Sequence, residues 1–351
     1  MNEFEQYTEQ LKSPNRKARA NAAYKLGVLG DSKAIPWLED RLDDPDYIVR
    51  CRAANALGRF EAPSLIAPLT KALKDPNDEV YGCVASALSR IGNEQAIITL
   101  INEANAQGKR RQSIAINNLV KIGQLAVENL IGGFNKSSGR TRAYFLKALG
   151  RIADMRASEI FINAILDEDY DVFWVATAIQ QDIRDPQAVP ALIASLEHES
   201  YLRQAGAART LQIIGDRRAL EPLVKVVEDE GRHKLARSAA TSALGMIGGA
   251  DVADILLKAA KENDEDIIQW AALSSLSHTG DPKVVKHLVD RVNRHPDLAY
   301  FHSLIKNLTI NGSLPTIREL ERILQNENLY DSRVLQTIKT SLEELKQRWH
   351  G

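Results

Sequence analysis

Leu57-Gly-Arg-Phe-Glu-Ala62 is the stretch of sequence that decides the fold, because related stretches return at a nearly constant interval. In the first series, each leucine lies 31, 31, 31 and then 30 residues after the one before it. The other members are Leu26-Gly-Val-Leu-Gly-Asp31, Leu88-Ser-Arg-Ile-Gly-Asn93, Leu119-Val-Lys-Ile-Gly-Gln124 and Leu149-Gly-Arg-Ile-Ala-Asp154. Such a period is typical of a protein built from one repeated supersecondary unit.

A second series continues the pattern after one irregular unit. It consists of Leu211-Gln-Ile-Ile-Gly-Asp216, Leu244-Gly-Met-Ile-Gly-Gly249, Leu276-Ser-His-Thr-Gly-Asp281 and Leu308-Thr-Ile-Asn-Gly-Ser313, at steps of 33, 32 and 32 residues. Residues 179–185 fill one more unit between the two series, with Arg184 where glycine is expected and one extra residue. We therefore predict an unbroken run of repeats with one irregular member.

The residues around each leucine predict a pair of helices in every repeat. The final glycine is typical of a helix that ends in a left-handed residue. Adjacent alanines about one turn before the leucine predict that this second helix is buried against its neighbours. These pairs are Ala22-Ala23, Ala53-Ala54, Ala207-Ala208, Ala239-Ala240 and Ala271-Ala272. The acidic turns between helices, such as Asp43-Asp-Pro-Asp46 and Lys74-Asp-Pro-Asn-Asp78, are predicted to cap the helix that follows.

Together these patterns predict an all-α protein, an α-solenoid of about eleven stacked antiparallel helix pairs. We expect residues 1–351 to form a single solenoid. Residues 1–30 are expected to be an amino-terminal cap pair and residues 313–351 a carboxy-terminal cap pair. Regular repeats are expected over residues 31–312, with the irregular unit at residues 167–185.

Composition limits the classes of function. The chain has 45 Lys and Arg against 46 Asp and Glu, so its net charge of −1 supplies no overall field for a nucleic-acid backbone. No apolar run approaches the length of a membrane span, and we expect a cytoplasmic protein. Cys51 and Cys83 are accordingly expected to be small helix-packing residues and not a disulfide.

The repeat also resembles a known family. Asp44-Pro-Asp-Tyr-Ile-Val-Arg50, followed by Ala53-Ala-Asn-Ala-Leu-Gly-Arg-Phe60, is similar to the HEAT-like repeat of phycobilisome lyases. This resemblance implies the fold, but it leaves the function open, because the same repeat occurs in bilin lyase subunits, phycobilisome-degradation adaptors and deoxyhypusine hydroxylase. It implies a possible bilin ligand and a phycobiliprotein partner; otherwise we expect no cofactor.

The residues themselves do not favour an enzyme. The hydroxylases of this family bind two irons through paired His-Glu motifs, whereas this chain has one such motif, His198-Glu199, in a predicted turn. The glycine-containing segment Ile131-Gly-Gly-Phe-Asn-Lys-Ser-Ser-Gly-Arg140 lacks the spacing of a phosphate-binding loop. We therefore expect no metal and no catalytic residues, although a phycobilin lyase-like activity stays open.

Two sets of residues are candidates for binding a partner. Arg59, Arg90, Lys121 and Arg151 occupy one position in four consecutive repeats, which predicts a row of positive charge. The alternative is that each cation only complements the dipole at the end of its own helix. The second set is Tyr170, Asp171 and Trp174 in the irregular unit, which could hold a flat ligand. The alternative is that Phe173 and Trp174 fill a gap between helices that lack the usual alanine pair.

We expect a non-enzymatic scaffold that binds a protein partner along the surface of the second helices. One alternative, implied by the resemblance, is a bilin lyase subunit or bilin chaperone that acts on phycobiliproteins. A DNA-binding solenoid of the alkylpurine glycosylase type is a further alternative. The net charge disfavours it, and we expect no nucleic-acid partner.

Overall fold

The structure is a computed structural model that describes residues 2–106, 108–262, 266–279, 285–286, 289–290, 293 and 314–350. The described secondary structure is helical throughout, and no strand occurs in these ranges. The chain divides into two compact units, Met1–Ala176 and Thr177–Gly351. The expectation of a single continuous solenoid with a cap at each end stays a prediction.

The first unit consists of successive helix pairs, and α12 runs on from it into the second unit. The helices are α1 (Glu3–Gln10), α2 (Arg16–Leu29), α3 (Ile35–Asp40), α4 (Tyr47–Leu57), α5 (Ile66–Ala72), α6 (Asp78–Ile91), α7 (Glu94–Ala106), α8 (Lys109–Ile122), α9 (Val127–Lys136), α10 (Gly139–Ile152), α11 (Ser158–Asn163) and α12 (Tyr170–Ile183). We call the even-numbered helices, which are the second of each pair, the B helices.

The second unit repeats the same arrangement. Its helices are α13 (Val189–Ser195), α14 (Tyr201–Ile214), α15 (Leu220–Glu228), α16 (Lys234–Gly248), α17 (Ala253–Glu262), α18 (Asp266–Thr279), α19 (Leu314–Leu324) and α20 (Ser332–His350). The B helices stack in order within each unit, with α2, α4, α6, α8 and α10 in contact in the first and α14, α16 and α18 in the second. The predicted fold class, an all-α solenoid of helix pairs, is confirmed.

Close contact between B helices depends on residues without large side chains. A Cβ atom added to Gly27 would lie 2.6 Å from the Cβ of Ala56, and one added to Gly58 would lie 2.6 Å from the Cα of Ala87. The predicted alanine pairs are buried, with Ala53 and Ala54 at 0% exposure. Neighbouring B helices therefore touch backbone to backbone, as the small residues predict.

The helix ends follow the predicted glycine pattern, with three exceptions. Gly30, Gly92 and Gly215 have φ angles of 70°, 57° and 77°. Glu61, Ala153 and Arg184 also have positive φ angles without being glycine, at 51°, 56° and 57°. The backbone of the irregular unit thus ends its helix in the usual way, and Arg184 accepts the steric cost of that conformation. The motif at residues 308–313 lies outside the described residues.

The expectation for the cysteines was wrong. Cys51 of α4 and Cys83 of α6 are joined by a disulfide, with their Cα atoms 5.4 Å apart. The two positions are one residue out of register in their repeats, so the sequence period did not reveal that they face each other. Both side chains are half-buried at the junction of the two B helices. The disulfide therefore links the second and third repeats covalently.

A search of the described residues for membrane-spanning segments finds no helix that is both long enough and apolar enough to cross a bilayer.

Two glycine substitutions test the backbone contact between B helices. Gly58→Ala should lower the free energy of unfolding by about 1–3 kcal/mol, because the new methyl group overlaps the backbone of Ala87. Gly82→Ala, inside α6 and with open space around the added Cβ, should raise it by about 0.5–1 kcal/mol. Urea unfolding followed by circular dichroism measures both. Equal effects of the two changes would contradict the close contact.

Candidate functional site

Some arginines of the first unit have a structural role that must be separated from binding. Arg19 of α2 donates to both carboxylate oxygens of Asp44, from Nε at 2.8 Å and from Nη2 at 2.9 Å. Arg50 of α4 repeats this contact one repeat later, with Asp75 at 2.5 and 3.0 Å. Each arginine also donates to backbone carbonyls of the turn before its own helix. These bidentate pairs join one repeat to the next.

The series continues in a changed form where Tyr81 replaces the arginine. Arg111 of α8 reaches back to Asp78, with Nε 2.7 Å from Oδ1, and donates to the carbonyl oxygen of Asp75 at 2.8 Å. Its guanidinium carbon lies 4.9 Å from the centre of the Tyr81 ring. Arg142 and Asp167 then restore an ion pair at 2.5 Å. Every one of these arginines is therefore committed to holding repeats together.

The acidic turns thus do more than the sequence predicted. Asp46 and Asn77 cap α4 and α6 as expected. Asp44 and Asp75, in the same turns, accept hydrogen bonds from Arg19 and Arg50. Burial alone would raise the pKa of Asp75, but the hydrogen bonds from Arg50 and from the Asn77 amide outweigh it, so this pKa is lower than usual.

Removal of the Asp75 carboxylate tests how much its ion pair with Arg50 stabilises the protein. Asp75→Asn leaves the half-buried Arg50 without its counter-ion, and the free energy of unfolding at neutral pH should fall by about 2–4 kcal/mol. Because the folded state lowers the pKa of Asp75, the stabilisation is present above the unfolded-state pKa and is lost as pH falls through the folded-state pKa.

Asp43→Asn is the matched control, because Asp43 pairs with Lys71 on the surface, where both side chains are largely exposed. Surface pairs of this kind contribute little, so this variant should unfold like the parent protein. Denaturant unfolding at neutral and acidic pH measures both variants. If Asp43→Asn lowered the free energy of unfolding as much as Asp75→Asn, the half-buried pair would contribute no more than the surface pair, which would contradict the prediction.

The predicted row of cations has a different environment. We call Arg59, Arg90, Lys121 and Arg151 the basic strip; all four side chains are exposed, at or just beyond the carboxyl ends of α4, α6, α8 and α10. Each reaches a polar or aromatic group. Arg90 donates to the carbonyl oxygen of Asn55 at 3.1 Å, and Arg151 donates to the side-chain oxygen of Asn117 at 2.7 Å.

The remaining two members complete the pattern. Lys121 donates to the side-chain oxygen of Asn118 at 3.2 Å. The guanidinium carbon of Arg59 lies 5.9 Å from the centre of the Tyr24 ring. Tyr24, Asn55 and Asn117 are equivalent residues of α2, α4 and α8, so each arginine of the strip lies over an equivalent point of the B helix before its own.

No member of the basic strip forms an ion pair within the described part of the chain, whereas Arg19, Arg50, Arg111 and Arg142 all do. Arg90 does interact with a helix end, because the carbonyl of Asn55 belongs to the last turn of α4. That carbonyl lies on the preceding helix and not on α6, the helix of Arg90, so the contact does not test the helix-dipole interpretation. It leaves the positive charge itself unneutralised.

The row of cations does not continue into the repeats of the second unit. The equivalent positions hold Ile213, Met246 and His278, and Met246 is 58% exposed. The next equivalent, Ile310, lies outside the described residues. The unbalanced cations at this repeat position therefore belong to the first unit.

Tyr170, Asp171 and Trp174, which we call the aromatic patch, lie in the first two turns of α12. The Tyr170 and Trp174 rings stack with centres 6.1 Å apart, and the two side chains are 40% and 47% exposed. Asp171 pairs with Arg140 at 3.2 Å. Phe173 is fully buried, so the packing interpretation holds for this ring, while Trp174 stays half in solvent.

The basic strip and the aromatic patch are not brought together at one point. The patch contacts Arg140 near the start of α10, whereas the strip residue Arg151 lies near its end. Eleven residues of helix separate them by about 16 Å. They are two surfaces and not one site.

His198 and Glu199 lie in the turn before α14, as predicted. The Nδ1 atom of His198 accepts a hydrogen bond from the amide of Ser200 at 2.9 Å. In the described ranges, no three His, Cys, Asp or Glu side chains converge as a metal ion would require.

The structure adds residues that the sequence did not single out. Arg52 of α4 lies beside Tyr24, with its guanidinium carbon 5.7 Å from the ring centre. Arg52, Tyr24 and Asn55 line a cavity of about 220 Å³ together with the strip residues Arg59 and Arg90. Arg52 has no basic equivalent in the flanking repeats, which have Asn21 and Cys83 at this position. The repeat pattern therefore could not identify Arg52 as a candidate.

The stacked helix pairs and their small-residue contacts define an all-helical repeat protein of the solenoid class. The chain belongs to the HEAT-repeat family, whose model matches residues 5–80, 35–120, 173–244 and 229–308. This confirms the resemblance to the HEAT-like repeat of the lyases.

Several known proteins are similar to this chain in sequence. Deoxyhypusine hydroxylase-B of Oryza sativa subsp. japonica is 26% identical over 272 residues, which cover 76% of this chain and 79% of the relative. Phycocyanobilin lyase subunit alpha of Picosynechococcus sp. is 30% identical over 160 residues, 42% of this chain and 60% of the relative.

Among solved structures, the karyopherin Kap121p bound to the extreme C-terminus of the protein phosphatase Cdc14p matches with a TM-score of 0.66 and 14% identity. The match covers 97% of this chain and 45% of Kap121p, so this chain corresponds to slightly less than half of that protein. At this identity the likeness concerns the fold alone.

Proposed function

We propose that the protein is a non-enzymatic scaffold that binds an acidic protein partner along the basic strip of the first unit. The observation that carries this proposal is the lack of ion pairs at Arg59, Arg90, Lys121 and Arg151 within the described residues, beside arginines that are fully paired. A cation without a carboxylate neighbour can receive one from another molecule, and the arginine fork favours a bidentate contact.

The spacing of the repeats determines which shape of partner segment could contact the whole strip. Equivalent residues of successive B helices recur along the stack, and interhelical distances are about 8–10 Å. An extended acidic segment or an acidic helix of the partner, laid across the B helices, would meet one cation per repeat. Because the contacts are at the surface, salt should weaken binding strongly. We place this interaction in the cytoplasm, although a Cys51–Cys83 disulfide that persists in the host cell would argue for an oxidising compartment.

Charge reversal tests the strip directly. We expect the variant with Arg59, Arg90, Lys121 and Arg151 all changed to Glu to lose at least about tenfold in affinity for proteins captured from host extract by the parent chain. The partner is identified by mass spectrometry, and its affinity is then measured by surface plasmon resonance at several salt concentrations. If the parent chain captured no protein but retarded duplex DNA in gel electrophoresis, the result would point to the glycosylase-type alternative.

The control carries the same change of charge elsewhere. Lys25, Lys33, Lys74 and Lys136 are exposed cations outside the strip, and their replacement by Glu should affect capture much less. Equal loss of affinity in the two variants would mean that net charge, and not the strip, governs binding. Unchanged capture by the strip variant would contradict the proposal.

A second candidate function is that of a bilin lyase subunit or bilin chaperone. It is supported by the 30% identity to phycocyanobilin lyase subunit alpha and by the exposed aromatic patch. Stacked rings beside a carboxylate suit a flat, conjugated ligand that carries N–H groups. Tyr170, Asp171 and Trp174 would then contact the pigment.

Absorbance spectroscopy with phycocyanobilin tests this second function. If the patch binds the pigment, incubation with the parent chain should shift and sharpen its visible absorbance band, and Trp174→Ala should reduce the shift several-fold. The strip variant serves as the control and should retain the shift. Identical spectra with and without the protein would exclude bilin binding at the patch.

A further inference from the structure

Three arginines converge on one cavity at the amino-terminal end of the basic strip. Its walls come from α2, α4 and the end of α6, and it has a volume of about 220 Å³. We call it the arginine pocket, and it is lined by Tyr24, Arg52, Asn55, Ala56, Arg59 and Arg90. Arg52 distinguishes this pocket from the rest of the strip.

The lining residues hold the guanidinium groups in place without neutralising them. The guanidinium carbons of Arg52 and Arg59 lie 5.7 and 5.9 Å from the centre of the Tyr24 ring. Arg90 is tethered by its hydrogen bond to the carbonyl oxygen of Asn55. None of the three forms an ion pair in the described part of the chain, and the pocket lining contains no carboxylate.

A neighbouring arginine provides a contrast. Arg16 lines an adjoining groove and is paired with Asp46, with Nη1 3.1 Å from Oδ2. Arg16 is therefore neutralised, whereas the three arginines that line the pocket, of which Arg52 is shared with the groove, have no counter-ion in the described residues. A single carboxylate would leave most of that charge unbalanced.

We propose that the arginine pocket binds a phosphoryl group. A phosphate monoester carries a charge of about −1.5 to −2 near neutral pH and presents three strong acceptor oxygens. Its oxygens can receive forked N–H donors from several guanidinium groups at once, which a carboxylate with two oxygens cannot match. The aromatic ring of Tyr24 orients two of these donors through cation–π contacts.

The occupant is a phosphorylated segment of a protein partner. The groove beside the pocket shares Tyr24 and Arg52 with it, continues between α2 and α4, and has a volume of about 520 Å³. Lys17, Asn21 and Ile48 line its floor and walls, a mixture of polar and apolar groups that suits peptide main chain and side chains. This inference rests on the proposed function, because it assigns the partner of the strip a phosphorylated residue.

Calorimetry with defined peptides tests the pocket. The probes are an acetylated glycine–serine peptide with one central phosphoserine, the same peptide with Glu or Ser at that position, and inorganic phosphate. We expect the phosphoserine peptide to bind the full chain at least about tenfold more tightly than the Glu peptide at low salt. Arg52→Gln should abolish this preference, and Arg52→Lys should restore it only in part.

Two controls keep the outcomes separable. Lys33→Gln removes an exposed cation that lines neither the pocket nor the groove, and it should preserve the preference. The double variant Lys121→Glu, Arg151→Glu should also preserve it, because both residues lie outside the pocket, although it should weaken capture of the acidic partner. Circular dichroism verifies that Arg52→Gln, which changes an exposed side chain, is folded.

Equal binding of the phosphoserine and Glu peptides would overturn the pocket while leaving the strip proposal intact. Inorganic phosphate that binds as tightly as the phosphopeptide would show that the groove contributes nothing, and it would overturn the assignment to a protein segment. Loss of capture in the strip variant together with an intact phosphoserine preference in the Lys121→Glu, Arg151→Glu variant supports both proposals.

Discussion

The direct contact between successive B helices is the constraint on which the rest of the structure depends. Gly27 meets Ala56, and Gly58 meets the backbone of Ala87, at distances that leave no space for a Cβ atom. Because these helices approach so closely, the side chains on their exposed faces are also brought near each other. The contacts of Arg59 with Tyr24 and of Arg90 with Asn55 follow from this approach, and so does the disulfide between Cys51 and Cys83.

This geometry places the cations of the first unit in two different environments. At the amino-terminal ends of the B helices, arginines meet the aspartates of acidic turns, and the resulting bidentate pairs join repeats. At the carboxyl ends, the cations of the basic strip form no ion pair in the described residues. The same residue type therefore stabilises the fold at one end of the helix and is available to a partner at the other. The near-zero net charge conceals this local separation.

Membership of the HEAT-repeat family indicates the fold but not the function, so what this chain binds depends on its surface residues. A scaffold that uses the strip needs only the regular repeat of one cation per helix pair. The arginine pocket adds a point of higher charge density at one end of the strip, which would fix the register of a partner that otherwise could slide along equivalent positions. The aromatic patch is separate in position and in chemistry, and it suits a flat ligand better than an acidic chain.

The sequence by itself determined the repeat, the helix pairs, the buried alanines and the row of cations. These features recur with the period, and periodicity of small, apolar and charged residues is a local property of the chain. Tertiary structure decided which charges are neutralised, because the partner of Arg19 is Asp44 and that of Arg50 is Asp75, each 25 residues away. It also decided the pairing of Cys51 with Cys83 and the convergence of Arg52 with Arg59 and Arg90. Cys51 and Cys83 occupy different positions in their repeats, and Arg52 has no equivalent cation in the flanking repeats, so only the packing of one helix on the next brings these residues to their neighbours.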